Sequence, residues 1–230
     1  MLYAASGCGG QSGALHVPDK VEAAPLPSFS PIPEDALVLF DGTSLEAWQQ
    51  KNGKEARWRL KEDYMEVRRW TGSLYSKAAF GDIQLHAEWA TPARGIGRGQ
   101  HKGNSGIKLM GLYEIQILDS YSNETHPDGQ AGAVYSQYPP LVNASRPPGA
   151  WQSFDIVFRR PRFTASGALE SPAYLTVFHN GILIQDQVSL KGPTKGNSGY
   201  TPHADQLPIM LQNHRSKVRF RNIWVRKLEQ

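Results

Sequence analysis

The chain has a single cysteine, Cys8, among 230 residues, so no disulfide can form within it and packing must hold the fold. It has no apolar run near the ~20 residues that a helix needs to cross a bilayer. No segment keeps a 3.6-residue hydrophobic period, which makes helix a minor component. No glycine-rich turn follows a strand and opens a helix, so a nucleotide-binding loop is not expected. A Gly-x-Ser-x-Gly elbow, the usual sign of an α/β serine hydrolase, is missing as well. Charge of one sign is also scarce: 25 Lys and Arg stand against 21 Asp and Glu. The small positive excess is interspersed along the chain and suits solubility, not a nucleic-acid partner.

Aromatic residues are plentiful, with 6 Trp, 9 Tyr and 8 Phe. Two readings are open for them: all fill a core, or some offer flat faces on which sugar C–H groups stack. Residues 1–35 are rich in Ala, Gly, Ser and Pro, and bury too little to offset their ordering entropy. They read as a flexible tether, with one folded domain over 36–230. The tether carries Ala4-Ala5-Ser6-Gly7-Cys8, which resembles the end of a bacterial lipoprotein signal. Met1–Ala5 is shorter than the roughly 7–15 apolar residues of a full signal. The expectation is an exported protein, periplasmic or at the cell surface, with a lipid anchor at Cys8 as one alternative.

From Leu37 onward, short alternating runs recur. Asp82–Thr91 puts Ile83, Leu85, Ala87 and Trp89 on one face and Gln84, His86 and Glu88 on the other. Ser105–Met110 and Tyr113–Leu118 follow, with Gly111-Leu112 as the turn between them. His179-Asn180-Gly181 marks another hairpin. Arg215, Lys217, Arg219 and Arg221 would share one strand face, read as a solvated surface, with an anion-binding stripe as the alternative. Ten to a dozen such strands with long loops predict an all-β sandwich or jelly roll of two antiparallel sheets. Ser120–Gly132 and Pro139–Gly149 are loops longer than a connection requires, the kind that carry function on a rigid sandwich.

The segment Tyr113-Glu114-Ile115-Gln116-Ile117 sends Ile115 and Ile117 inward and Glu114 and Gln116 outward. His86 and Glu88 alternate in the same way, as do Met210, Gln212 and His214, and Lys108 fits beside them. If these faces share one sheet, they form a surface of carboxylate, amide and imidazole groups suited to a hydroxyl-rich ligand. A solvent-facing polar sheet is the plain alternative. Asp119, Asn123, Glu124, His126 and Asp128 cluster in one loop. Their spacing matches no EF-hand, so solvated turn residues are the first reading and a divalent metal the second. His86 with Glu88, or His214, are further metal candidates. No cofactor is required by anything the sequence shows, and oligomeric state cannot be read from it.

Four blocks in order resemble the 3-keto-disaccharide hydrolase domain family: Leu39-Phe40-Asp41-Gly42-Thr43, Gly103-Asn104-Ser105-Gly106-Ile107, Tyr113–Asp119 and Val218–Arg226. The stretch from Tyr138 to Gln152 is similar to one branch of it. The resemblance implies a concanavalin-like jelly roll, usually exported, acting on sugars oxidised at C3. Laminarinase-type relatives of that fold carry Glu-x-Asp-x-Glu on the catalytic strand; here the strand reads Glu114-x-Gln116-x-Leu118. Gln cannot ionise, so the paired-carboxylate mechanism does not fit this strand.

The implied chemistry instead needs a base for the C2 proton, a stabiliser for the enolate oxygen and a proton donor for the leaving group. Glu114 or His214 is the expected base, with Glu88 as a further acid–base candidate. His214, His86, Lys108 or a cation would stabilise the enolate. Gln116, Asn104 and Gln212 would bind hydroxyls, and Tyr135 or Trp151 would stack on the ring. The alternative is a non-catalytic carbohydrate-binding module on the same fold, which needs fewer ionisable groups in one place.

Overall fold

The structure is a computed structural model that describes residues 15–24, 26, 32–194 and 199–228. Cys8, most of the tether and residues 196–198 of the second Gly-Asn-Ser-Gly lie outside them. In chain order the strands begin with β1 (Asp19–Lys20), β2 (Leu37–Phe40), β3 (Trp48–Gln49), β4 (Arg59–Lys61), β5 (Tyr64–Glu66) and β6 (Leu74–Phe80). They continue with β7 (Ile83–Ala90), β8 (Ser105–Leu109), β9 (Tyr113–Ile117), β10 (Val142–Asn143), β11 (Gln152–Arg159) and β12 (Arg162–Phe163). The last are β13 (Leu169–Ser171), β14 (Tyr174–His179), β15 (Ile182–Ser189), β16 (Leu207–Leu211) and β17 (Arg219–Lys227). Helix is confined to single 3-10 turns at Gly99–His101 and Pro127–Gly129. Among the described residues no helix is long and apolar enough to cross a membrane.

Two antiparallel sheets make the expected sandwich. The larger has eight strands in the order β15-β14-β11-β7-β17-β5-β4, with β2 also on β17; the smaller runs β3-β6-β16-β8-β9. Their facing sides bury Trp89, Phe154, Phe158 and Phe220 from the first against Leu74, Ile107, Tyr113, Ile115 and Ile209 from the second. Tyr113 and Phe158 bridge the layers with ring centroids 5.4 Å apart. Each such side chain removed from water contributes about 1.5–3 kcal/mol. The tether is not wholly detached: β1 pairs in parallel with β10, and Val21 donates to the Asn143 carbonyl at 3.0 Å.

Both predicted hairpins are present. Asn180 and Gly181 (φ 54° and 79°) form the two-residue turn between β14 and β15. The β8–β9 turn starts one residue earlier than read: Met110 and Gly111 take the positive φ values (55° and 68°), and Leu112 completes it. The short strands β1, β3, β10, β12 and β13 were not read from the sequence, and neither was one long strand, β6. In β6, Leu74, Ser76 and Phe80 are buried, but Ala78 between them is only half-buried, where the stretch from Tyr75 to Ala79 bulges against β16. Ser76 repairs the break by accepting from Ile209 N and donating to Ala78 O. The basic stripe also differs from its expectation. Arg215 lies in a turn (φ 70°) before β17, Lys217 is exposed, and Arg219 and Arg221 bend onto Trp151.

Candidate functional site

Strand register builds the floor of a cleft of about 510 Å³ on the outer face of the smaller sheet. Glu114 of β9 pairs with Lys108 of β8, Lys108 with Met210 of β16, and Met210 with Tyr75 of β6. Because Cβ atoms alternate, these four residues form one row on the side away from the core. The next row is Gln116, paired with Gly106, and Gln212, whose N–H donates to the Gly106 carbonyl at 2.9 Å. Ser73, Asn104, Tyr135 and His214 stand around this floor.

Glu114 is the centre of the arrangement and is only 4% exposed. Its Oε2 lies 2.7 Å from Lys108 Nζ, and its Oε1 accepts from Gln212 Nε2 at 3.0 Å. To reach Gln212 the carboxylate must pass over β8, and Gly106 makes the passage. A Cβ on Gly106 would lie 2.5 Å from Glu114 Oε1, so any larger residue would displace the carboxylate. Glu114 N–H donates to Thr194 Oγ1, and its carbonyl accepts from Tyr135 N–H.

Beside it, Gln116 Nε2 donates to Gln100 Oε1 at 2.9 Å, and Asn104 Nδ2 to the Gln100 carbonyl at 2.7 Å. Gln100 is itself fixed through Nε2 by Thr125 Oγ1 and the Gly129 carbonyl. With these amide groups oriented, Gln116 Oε1 and Gln212 Oε1 are buried acceptors with no hydrogen-bond partner. Buried oxygens of that kind are uncommon in proteins and suit the hydroxyls of a ligand.

The structure thus brings together Glu114, Gln116, Asn104, Lys108, Gln212, Tyr135 and His214. It does not bring His86, Glu88 or Trp151 to them. His86 and Glu88 lie on β7, which sits in the larger sheet between β11 and β17. Their outward direction is therefore the opposite outer face of the sandwich, with the core between them and the cleft. Alternation in a sequence gives the face of a strand but not the sheet it joins.

On that far face they form a closed network. His86 Nδ1 is 2.7 Å from Asp155 Oδ1, and the ring stacks on Trp224 at 5.2 Å. Glu88 accepts from Arg221 Nε at 2.6 Å and Asn222 Nδ2 at 2.9 Å, and Arg221 also reaches Asp63. Trp151 lies under the Arg221 guanidinium at 4.3 Å and beside Tyr64, so it is no platform for the cleft. Burial opposes the charge on His86, but the hydrogen bonds to Asp155 and Glu88 outweigh it and raise its pKa to about 9. Burial likewise works against the Glu88 carboxylate, yet His86, Asn222 and Arg221 pull it down to about 2.

The acidic loop does not gather into a metal centre. Asp119 turns to Lys102 Nζ at 3.1 Å, Asn123 binds the Gly99 backbone, and His126 pairs with Asp128 at 2.7 Å. Among the described residues no group of three or more His, Cys, Asp or Glu is placed to hold a metal. Sequence reasoning missed Ser73, Tyr75 and Gln100. The first two belong to the unread strand β6 and its approach. Gln100 had a faint sign, the glycine-dense Gly95-Ile-Gly-Arg-Gly-Gln that precedes Gly103-Asn-Ser-Gly.

With this geometry in hand, the comparisons with known proteins are specific. The family model described as "3-keto-alpha-glucoside-1,2-lyase-like domain" matches residues 35–226. No curated protein sequence matches the chain. A crystal structure of a candidate glycosyl hydrolase from Parabacteroides distasonis is 35% identical, covers 99% of this chain and 100% of its own, and superposes with a TM-score of 0.84. A second candidate glycosyl hydrolase from the same organism is 19% identical over 85% of this chain and 95% of its own, with a TM-score of 0.61. The second likeness speaks for the fold alone.

Proposed function

The chain belongs to the 3-keto-alpha-glucoside-1,2-lyase-like family, and from that premise we propose that its cleft takes a glycoside oxidised at C3 and cleaves it by elimination. The C3 ketone acidifies the C2 proton, and Glu114 removes it. The C–H electron pair forms the enolate, whose charge on O3 is met by the Lys108 ammonium. Collapse of the enolate restores the ketone, forms the C1–C2 double bond and breaks the bond from C1 to the leaving oxygen. That oxygen takes a proton from His214 at the exposed rim, and water added across the enone completes a net hydrolysis. Gln116, Gln212 and Asn104 hold hydroxyls, and Tyr135 and Tyr75 offer ring faces.

One observation carries this reading: of the described residues that line the cleft, Glu114 is the one carboxylate, and it is ion-paired to Lys108 beside two unpartnered amide oxygens. Elimination next to a ketone needs a single base and an oxyanion partner. Ordinary glycosidases need two carboxyl groups across the scissile bond, and this cleft does not offer them. The candidate glycosyl hydrolase 35% identical to the chain is in keeping with action on a glycoside. A second reading, a carbohydrate-binding module, is favoured by the removal of His86 and Glu88 from the cleft, which leaves the amides of Asn104, Gln116 and Gln212 beside a single carboxylate.

The test is incubation with a 3-keto-glucoside bearing a chromogenic leaving group, beside its unoxidised parent, with and without chelator. Release from the keto sugar alone supports elimination, and its loss with chelator would add a metal to the reaction. Binding of sugars without release from either substrate would make the protein a binding module.

A further inference from the structure

The loops at one end of the cleft carry a feature that the floor does not use. Trp70 is 78% exposed and sits at φ 69°. A bulky side chain seldom adopts that left-handed backbone, and an indole left in water forgoes the gain of burial. Both costs fall on one residue, and the loop around it is firmly held. Asn213 Nδ2 donates to the carbonyls of Arg68 and Gly72, and Asn213 N–H to Ser73 Oγ. Arg69 Nε donates to the Arg215 carbonyl at 2.9 Å. The Arg215 guanidinium lies 4.5 Å over the Trp70 ring, which covers one face and leaves the other free.

This clamp joins two segments that both border the cleft. Ser73 lies three residues after Trp70, and His214 immediately precedes Arg215; both line the cleft wall. The strained indole is thereby fixed at the rim on the side of His214, the group placed to protonate the leaving oxygen. Strain retained at a site margin points to use. We propose that Trp70, backed by Arg215, is an outer sugar subsite that stacks on the leaving-group ring of a disaccharide while the oxidised ring lies over Glu114. The proposal rests on the reading above for the placement of the two rings. Its stacking contact, however, concerns an unoxidised pyranose and can be measured without chemistry.

The experiment is titration calorimetry of a glucose disaccharide and of methyl glucoside against wild type, Trp70→Phe, Trp70→Ala and Trp70→Gly. The expected result is that wild type prefers the disaccharide by roughly tenfold, the scale of one aromatic contact. Trp70→Ala and Trp70→Gly should erase that preference, Trp70→Phe should retain most of it, and methyl glucoside should bind all four alike. Trp70→Gly relieves the backbone strain, so a fold no less stable than wild type accompanies the loss. Equal binding of the two sugars by wild type, or an unchanged preference in Trp70→Gly, overturns the subsite. Failure of wild type to cleave any 3-keto-glycoside, with the Trp70-dependent preference intact, would instead overturn the elimination chemistry and keep the platform.

Discussion

Two polar faces look outward from opposite sides of this sandwich, and both bury ionisable groups. On the larger sheet the charges around β7 are answered: His86 lies between Asp155 and Glu88, and Arg221 between Glu88 and Asp63. On the smaller sheet Glu114 is answered by Lys108 and Gln212, but the side-chain oxygens of Gln116 and Gln212, residues of the cleft floor, are buried without a hydrogen-bond partner. The largest displacements of pKa among outward-facing groups belong to the closed network and not to the cleft. Perturbed titration marks strong interaction, whether it serves structure or chemistry. Unmet hydrogen-bonding capacity beside space for a ligand is the better guide here.

The comparison is broken most directly at its two carboxylates. Glu114→Gln should lower kcat on a 3-keto-glucoside by about 10²–10⁴, the usual contribution of a general base, with circular dichroism showing a folded protein; wild-type turnover would remove Glu114 from the reaction. Glu88→Ala should do the opposite. It strips His86 and Arg221 of their shared partner at a cost of about 3–5 kcal/mol in denaturant unfolding, while kcat per folded molecule holds. A fall in kcat with stability intact would restore Glu88 to the chemistry.

Gly106→Ala tests the passage over β8. The added methyl should push the Glu114 carboxylate aside and reduce kcat by about 10² for a displacement near 1 Å, with circular dichroism showing a folded protein. The fourth test uses pH. His86 has a folded pKa of about 9 against an ordinary 6.5, so its stabilisation is complete below pH 6.5 and disappears as pH rises through 9. Glu88 moves from 4.5 to about 2, and its contribution is complete above pH 4.5 and lost as pH falls through 2. The alkaline loss is on the order of 3 kcal/mol, and His86→Gln should flatten that limb of a Tm–pH profile. The smallest effect is expected from Gln116→Ala: a several-fold rise in KM, from about 0.5–1.5 kcal/mol of one hydrogen bond, with kcat retained.

Most of the sandwich was legible because its strands alternate cleanly. Ile83, Leu85, Ala87 and Trp89 are buried as their spacing implies, and so are Ile115 and Ile117. The strand that carries Glu114 and Gln116 was legible for the same reason, and the turn after β8 puts Lys108 beside Glu114. What could not be read was adjacency between strands distant in sequence. β7 shows the same polar pattern as β9 and β16, yet joins the other sheet through contacts with β11 and β17. β6 was hidden because its alternation lapses at Ala78, where the strand bulges against β16, and Tyr75 went with it. Gln100 acts through hydrogen bonds made by a short 3-10 turn, for which no periodic signal exists.

The turn at Met110–Leu112 works as a ruler for the cleft. A two-residue slip of β9 against β8 would keep every inward Ile inward, yet it would set Gln116 opposite Lys108 and leave Glu114 beyond the end of β8. The core would tolerate that change, and the Glu114–Lys108 ion pair would be gone. Three residues of hairpin thus define which side chain stands opposite Lys108.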